Sequence, residues 1–451
     1  MAGIAAATDL RPRNLAAAIL VAGWALMLAL TAPGQASFDT VRQLADGRSG
    51  HYDSWHPPVM AFMLGLFDRI LPGTLLFQIA MSGLALIALL WLLWLKPWPR
   101  WGAAAAALLL VLTPQWLLYQ SDLWKDVLFA NAALAGFAAL ARAADAWPVR
   151  KPWLAASLLL LSLAAMTRQN GVVLLPVAAV TLGIIAMRHM PRWNGAGHGA
   201  GFLVLAAVIT FGINGLLIAH GDGGKGISLE IRYAQGYDLV GALRKNPSLD
   251  LPALRASDPR LESLLHTRGV ARYSTRLIDT YAGDPQLSAA IEKSPKGAIA
   301  AAWREMVLHH PGLYLRQRWP VFWQVLATPD IRACRPLYFG VDGPPEVMKT
   351  LGLVRRWNAR DTAMARYGTA LLDMPLFSHL AFAALAVLAL VMLLRRGGGA
   401  DIAIAGLLAG ALLFALTFLF VSVACDYRYL YALDLAALAG AFHALRGFTV
   451  P

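Results

Sequence analysis

The sequence predicts an all-α polytopic membrane protein of about ten transmembrane helices, with a mostly helical domain between the seventh and eighth spans. Three observations predict it. Of 451 residues, 58% are hydrophobic and only 14% are charged. The mean hydropathy is +0.55. Apolar runs long enough to cross a hydrocarbon layer of roughly 30 Å recur along most of the chain. The composition excludes a soluble fold. The net charge of +13 does not signal nucleic acid, because the basic residues are spread over loops between apolar runs and form no single patch. Anionic lipid or a phosphate-bearing substrate is the better partner.

Taken in order, the spans fall near 15–32, 74–95, 101–119, 127–144, 153–169, 172–188, 201–219, 376–394, 402–424 and 429–445. With the N-terminus inside, Arg11, Arg13, Lys96, Arg100, Arg142, Arg150, Lys151, Arg188, Arg192, Arg395, Arg396 and Arg446 all fall on the inner side, as the positive-inside rule requires. The segment Val59 to Pro72 is apolar but short and holds Asp68 and Arg69, so it reads as an amphipathic helix on the outer surface, started by Pro57-Pro58.

This pattern divides the chain into three parts. Residues 1–220 form an N-terminal seven-span module whose first outer loop is 33–73, residues 221–375 form a mostly helical outer domain, and residues 376–451 form a three-span module. GDGGKG at 221–226 lacks the spacing and strand context of a phosphate-binding loop and reads as a linker. His309 and His310 point differently on a helix and read as helix-end residues rather than metal ligands. Cys334 and Cys425 both fall on the outer side, where a disulfide is chemically allowed, but two cysteines do not by themselves define a pair.

The outer loops collect ionisable groups of both signs. Asp39, Asp46, Asp53 and His56 crowd the stretch FDTVRQLADGRSGHYDSWHPPVM after the first span. Hydrated charge beside hydrocarbon is costly, so such a concentration needs a reason, and catalysis at the membrane face supplies one. Ordinary salt bridges and snorkelling side chains are the competing structural explanation. Lys125, Arg168 and Arg428 sit at outer span ends, where cations in a low-dielectric pocket would stabilise the charge growing on a leaving phosphate. Arg168 could equally pair with a structural Asp. In SDLWKDVLF, Asp122 and Asp126 would share a helix face if the helix began that early, and would then favour a cation between them, either a divalent metal or Lys125. In CDYRYLYALD, Arg428 stands amid tyrosines with Asp434, about one turn deeper, as a candidate partner.

An outer acid after the first span, a stretch ending in HPP, a short surface helix and a second acid at the outer start of the fourth span make an ordered set. In this it resembles the GT-C superfamily of integral-membrane glycosyltransferases, and within it the aminoarabinose transferases and protein mannosyltransferases. Those enzymes use polyprenyl-phosphate-linked sugars, and their first outer loop begins with an Asp-Glu pair where this chain has Asp39-Thr40. The resemblance covers roughly the first seven spans and implies an inverting transferase in a bacterial inner membrane, with its active site toward the periplasm. It also implies a polyprenyl-phosphate sugar donor and a glycan, lipid or protein acceptor. Asp126 matches the acid that helps hold the lipid phosphate, directly or through a metal, and Arg428-Tyr429 matches an Arg-Tyr pair near the ends of many members.

The chemistry asks for a base to take the acceptor proton. Shielding by membrane and protein would raise a carboxylate toward working pH, so Asp39 is the candidate base, with Asp53 as the rival and His56 beside it. No loop predicts a nucleotide-sugar site on the cytoplasmic side, and no cofactor other than a divalent metal is implied. Two other classes stay open. A transporter or flippase of lipid-linked sugars would place charge near the midplane and show internal repeats. A polysaccharide polymerase or ligase would rely on Arg and His and not on an acid after the first span.

Overall fold

The computed structural model describes residues 10–96 and 99–447. The terminal stretches of the expected first and last modules, 1–9 and 448–451, lie outside the described residues. The described chain is built of helices, with isolated bridges and no named strand. Seven of its helices are long and apolar enough to cross a membrane, and an eighth if a bent pair is one span. The chain is a multi-pass membrane protein.

The bundle is assembled from α1 (Arg11–Thr31), α4 (Leu75–Leu93), α5 (Trp101–Val111), α6 (Pro114–Leu117), α7 (Lys125–Ala144), α8 (Lys151–Thr167), α9 (Leu174–Met187) and α10 (Arg192–His220). Between α1 and α4 lie two short helices, α2 (Phe38–Ser49) and α3 (Val59–Ile70). The expected third span is not one straight helix: α5 ends and the chain turns by 63° before α6. Pro114 supplies the reason. It has no N–H to continue the ladder and pushes Thr113 into an extended conformation.

The central element is α7, buried on nearly all sides. An interior helix needs small residues where its neighbours approach, and Gly136 provides this: a Cβ there would come within 2.6 Å of the Leu161 side chain on α8. At the end of the bundle where α1 connects to α4, α2 crosses α3 at Gly47 and Gly65, where an added Cβ on Gly47 would meet the Ala61 carbonyl at 2.3 Å. Phe62, Leu66 and Ile70 on α3 stay exposed, as suits a helix resting on a lipid surface.

Beyond α10 the chain forms α11 (Lys225–Lys245), several short helices, α12 (Ala298–His309) and α13 (Pro311–Ala327), then re-enters the bundle as α14 (His379–Arg396), α15 (Gly399–Val421) and α16 (Tyr431–Leu445). His309 ends α12 and His310 precedes α13, so both are helix-end residues. Two hydrophobic clusters result. One holds Tyr237, Leu261, Tyr281, Leu287 and Ile291 of the outer segment, whereas Phe322, Val325, Met348, Leu351 and Met364 pack into the bundle's own cluster. The second half of the outer segment is therefore an extension of the bundle's core.

Two ties join the outer segment to the last spans. Arg318 on α13 pairs with Asp238 on α11 at 2.7 Å, both essentially buried, and donates through Nη1 to the Ser422 carbonyl at 2.5 Å. Asp238 also accepts from Trp303 and Gln317, so the buried carboxylate is fully engaged. Cys334 and Cys425 form a disulfide that spans 91 residues of sequence.

Candidate functional site

Backbone pairing brings the first outer loop to the start of α7. Gln35 N–H donates to the Ser121 carbonyl at 2.9 Å, Leu123 N–H donates to the Gln35 carbonyl at 3.0 Å, and Thr40 Oγ1 donates to the Leu123 carbonyl at 2.8 Å. Trp124 Nε1 adds a bond to Ser37 Oγ at 2.9 Å. Asp39, in the first turn of α2, is thereby brought to the start of α7.

A second set of bonds fixes the loop carrying His56. Asp222 N–H donates to the Tyr52 carbonyl, and the Asp222 carboxylate accepts from Ser54 N–H at 3.1 Å, Ser54 Oγ at 2.8 Å and Gly226 N–H at 2.7 Å. Gly226 must be glycine for this closure, because a Cβ would meet Trp55 N at 2.3 Å. The segment 221–226, expected as a linker, is instead a clasp around the first outer loop. Side-chain acceptance by Asp222 is a long-range feature that glycine content does not reveal.

At the centre, Arg428 Nη2 donates to Asp39 Oδ2 at 2.9 Å and Arg428 Nε donates to Asp426 Oδ2 at 2.9 Å. Lys125 Nζ lies 3.1 Å from His56 Nδ1. An ammonium can only donate, so Nδ1 accepts and the imidazole proton sits on Nε2, which lies 3.7 Å from Asp39 Oδ1. Arg168 is buried against Asp126 as an ion pair and faces the rings of Tyr429 and Phe418, each 5.3 Å from its guanidinium carbon. Arg428 lies over Trp124 at 4.9 Å, and its Nε is 3.8 Å from Asp126. Asp39, His56, Lys125, Asp126, Arg168, Arg428 and Tyr429 thus come together at one end of the bundle.

Asp39 does not have the expected raised pKa. Burial pushes it up, but His56, Arg428 and Lys125 outweigh burial and hold it well below the usual carboxylate range. His56 is pushed down, first by burial and then by Lys125, which keeps the imidazole neutral at neutral pH.

Asp53 is not brought into this group. It is exposed, and its Oδ1 accepts from Trp55 N–H at 2.8 Å. Asp122 does not share a helix face with Asp126, because α7 begins at Lys125 and Asp122 stands in the extended segment paired with Gln35. Its Oδ1 is buried without a hydrogen-bond partner among the described residues, and burial raises its pKa well above the carboxylate range. Asp434 does not pair with Arg428. It accepts from Tyr427 Oη at 2.8 Å and pairs with His379 Nδ1 at 2.8 Å.

The donor set does not fit a resident divalent metal. Asp126 is taken by Arg168, Asp39 by Arg428, and no group of three or more His, Cys, Asp or Glu side chains gathers as a metal site among the described residues. Two site groups escaped the sequence reading. Asp426 lies two residues before Arg428 and was legible only as one more outer acid. Glu230 on α11 accepts from Gln169 Nε2 at 3.1 Å, and its pKa is raised by burial against the lowering effect of Lys125 and Arg168. Nothing in the amphipathic pattern around Glu230 marks it.

No family model matches the chain, and no curated protein matches it. Among solved structures the chain is similar to the archaeal oligosaccharyltransferase AglB from Archaeoglobus fulgidus, solved in complex with an inhibitory peptide and a dolichol-phosphate. The likeness has a TM-score of 0.41 and 14% identity, and it covers 95% of this chain and 49% of that one. This chain therefore spans about half the length of that protein.

Proposed function

We propose that the chain is a membrane glycosyltransferase that moves a sugar from a polyprenyl-phosphate carrier to a glycan, lipid or protein acceptor, on the periplasmic face of a bacterial inner membrane. The observation that carries this reading is the convergence of Asp39 and His56 with Lys125, Arg168 and Arg428, drawn from separate segments of the chain to one end of the bundle. A carboxylate and imidazole beside three cations suit a reaction that takes a proton from a hydroxyl and leaves charge on a phosphate. Aromatic rings around the guanidinium groups suit the passage from headgroup to isoprenoid.

In this reaction the acceptor oxygen forms a bond to the anomeric carbon while the bond from that carbon to the phosphate oxygen breaks. The electron pair leaves with the phosphate, whose charge Arg428, Lys125 and Arg168 offset. The acceptor proton passes to Asp39, whose Oδ1 faces the protonated Nε2 edge of His56 at 3.7 Å. Asp39 is a weak base while Arg428 and Lys125 act on it. A bound phosphate engages those cations and so raises the basicity of Asp39 at the moment it is needed. No step requires a metal.

The test is Asp39→Asn assayed with a polyprenyl-phosphate sugar. Loss of a positioned base should lower transfer by about 10²-fold to 10⁴-fold. Retention of polyprenyl phosphate by the variant should stay within a factor of about two, because the three cations that serve the phosphate remain. Full transfer by the Asn variant would overturn the assignment. Loss of lipid-phosphate retention with transfer unchanged per bound donor would assign Asp39 to binding alone.

A further inference from the structure

Away from the acid and cation cluster, at the opposite end of the bundle, α8, α9 and α10 surround a groove of about 660 Å³. Its walls are apolar, with Leu154, Leu158, Leu182, Phe202 and Leu205 among them. Its polar groups come from Lys151, Asn194 and His198, the first two within the first turn of their helices. From Asn194 to Leu205 the wall of α10 runs about 16 Å at 1.5 Å per residue, so one end is charged and the rest is hydrocarbon-like.

Two features keep the groove open. Gly197 and Gly201 line it, and a Cβ added to either would meet nothing within 4 Å, whereas Gly195 and Gly199, on the other side of the same helix, are in close contact with α9. His198 Nδ1 is committed to the Asn194 carbonyl at 2.8 Å, which leaves Nε2 as the edge without a hydrogen bond. Lys151 and Arg192 make no ion pair among the described residues, and Arg150 and Arg188 stand at the same end by chain position. Asp145 is the acid nearest in sequence to Arg150 and Lys151 and already faces Arg150 at 4.0 Å.

We infer that this groove is a binding site for one anionic phospholipid. Its acyl chain lies along Leu154, Leu158, Phe202 and Leu205, and its headgroup phosphate meets Lys151 and His198. Charge complementarity selects this occupant over a second copy of the chain, which would set Lys151 and Arg192 against their own equivalents. Apolar walls select it over a free phosphate, which would leave the groove unfilled.

Native mass spectrometry of the full chain in detergent, with equimolar dioleoyl phosphatidylglycerol and dioleoyl phosphatidylcholine, tests this. The wild type should retain phosphatidylglycerol over phosphatidylcholine by about fivefold or more. The double variant Lys151→Glu, His198→Ala changes only exposed side chains and should bring that ratio to about one. Gly201→Leu fills the groove and should lower retention of both lipids, with size-exclusion and thermal melting confirming an intact fold. An unchanged ratio in the double variant, or equal retention of both lipids by the wild type, would overturn the site. So would a dimer mass that vanishes with Gly201→Leu, which would assign the groove to a second copy.

Discussion

Single carboxylates in this chain have opposite fates although they share a loop. Asp39 is held far below its ordinary range because three basic groups reach it, whereas Asp46, two turns further along α2, is raised to about 6 by burial and by the charge of Asp53, against a backbone hydrogen bond from Asp53. A carboxyl whose pKa is higher in the folded state than the unfolded value of 3.8 binds its proton more tightly when folded. Its stabilising contribution is present at low pH and is lost as pH rises through about 6. Asp46→Asn should therefore raise stability at pH 7 by about 1 kcal/mol and flatten the decline between pH 4 and 7, as read by thermal melting at several pH values. A variant whose melting curve keeps the wild-type pH slope would remove Asp46 as the cause. The Arg168–Asp126 pair makes the converse case. Arg168→Ala leaves a buried carboxylate without its cation and should cost about 3 to 5 kcal/mol, and adding Asp126→Asn should recover part of that loss in a chemical-denaturation cycle. These pairings explain what was readable from residue types. That Asp39, Lys125, Arg168 and Arg428 gather at one end of the bundle followed from charge at a membrane face, which spacing along the chain reveals. The pairing of Asp434 with His379, 55 residues away, and the approach of Glu230 from α11 depend on packing between distant segments.

Helices were the most legible level, because crossing a bilayer requires only length and apolarity, and both are local properties. The bend between α5 and α6 was less visible: the apolar run continues through Thr113-Pro114, so hydropathy reads one span where backbone sterics make two helices. The crossing of α2 and α3 is of the same kind. Gly47 and Gly65 look like ordinary residues of short helices, yet each sits where the other helix's backbone leaves no room for a methyl group. Gly47→Ala should force the two helices apart and lower stability by about 1 to 3 kcal/mol, measured by denaturant unfolding. Because α2 carries Asp39, the same substitution should lower the proposed transfer more than the stability loss explains. Gly50→Ala is a useful comparison: it has open space around it, and its cost should reflect only its positive φ of 71°.

At the scale of the whole molecule, the outer segment is bound to the bundle at several places. The Cys334–Cys425 disulfide closes a long loop and lies next to Asp426 and Arg428 in sequence. Loop-closure entropy for a separation of 91 residues predicts that Cys334→Ser with Cys425→Ser lowers stability by about 4 kcal/mol, with either single change costing nearly as much as both. Thermal melting of the three variants with and without reductant measures this. A double variant with the wild-type midpoint would mean that the buried Arg318–Asp238 contact and the packing of Phe322, Val325 and Met348 hold the segment unaided.

The clasp of Asp222 and Gly226 around Tyr52, Ser54 and Trp55 has a consequence for anyone who would exchange parts between related chains. A splice at residue 220 looks safe from hydropathy, since it falls where the last apolar run of the first half stops. Yet the receiving half would inherit a loop shaped by residues left behind on the donor. The unit of inheritance is therefore the pair of segments 52–56 and 221–226 taken together, and a hybrid carrying only one of them would misplace its imidazole.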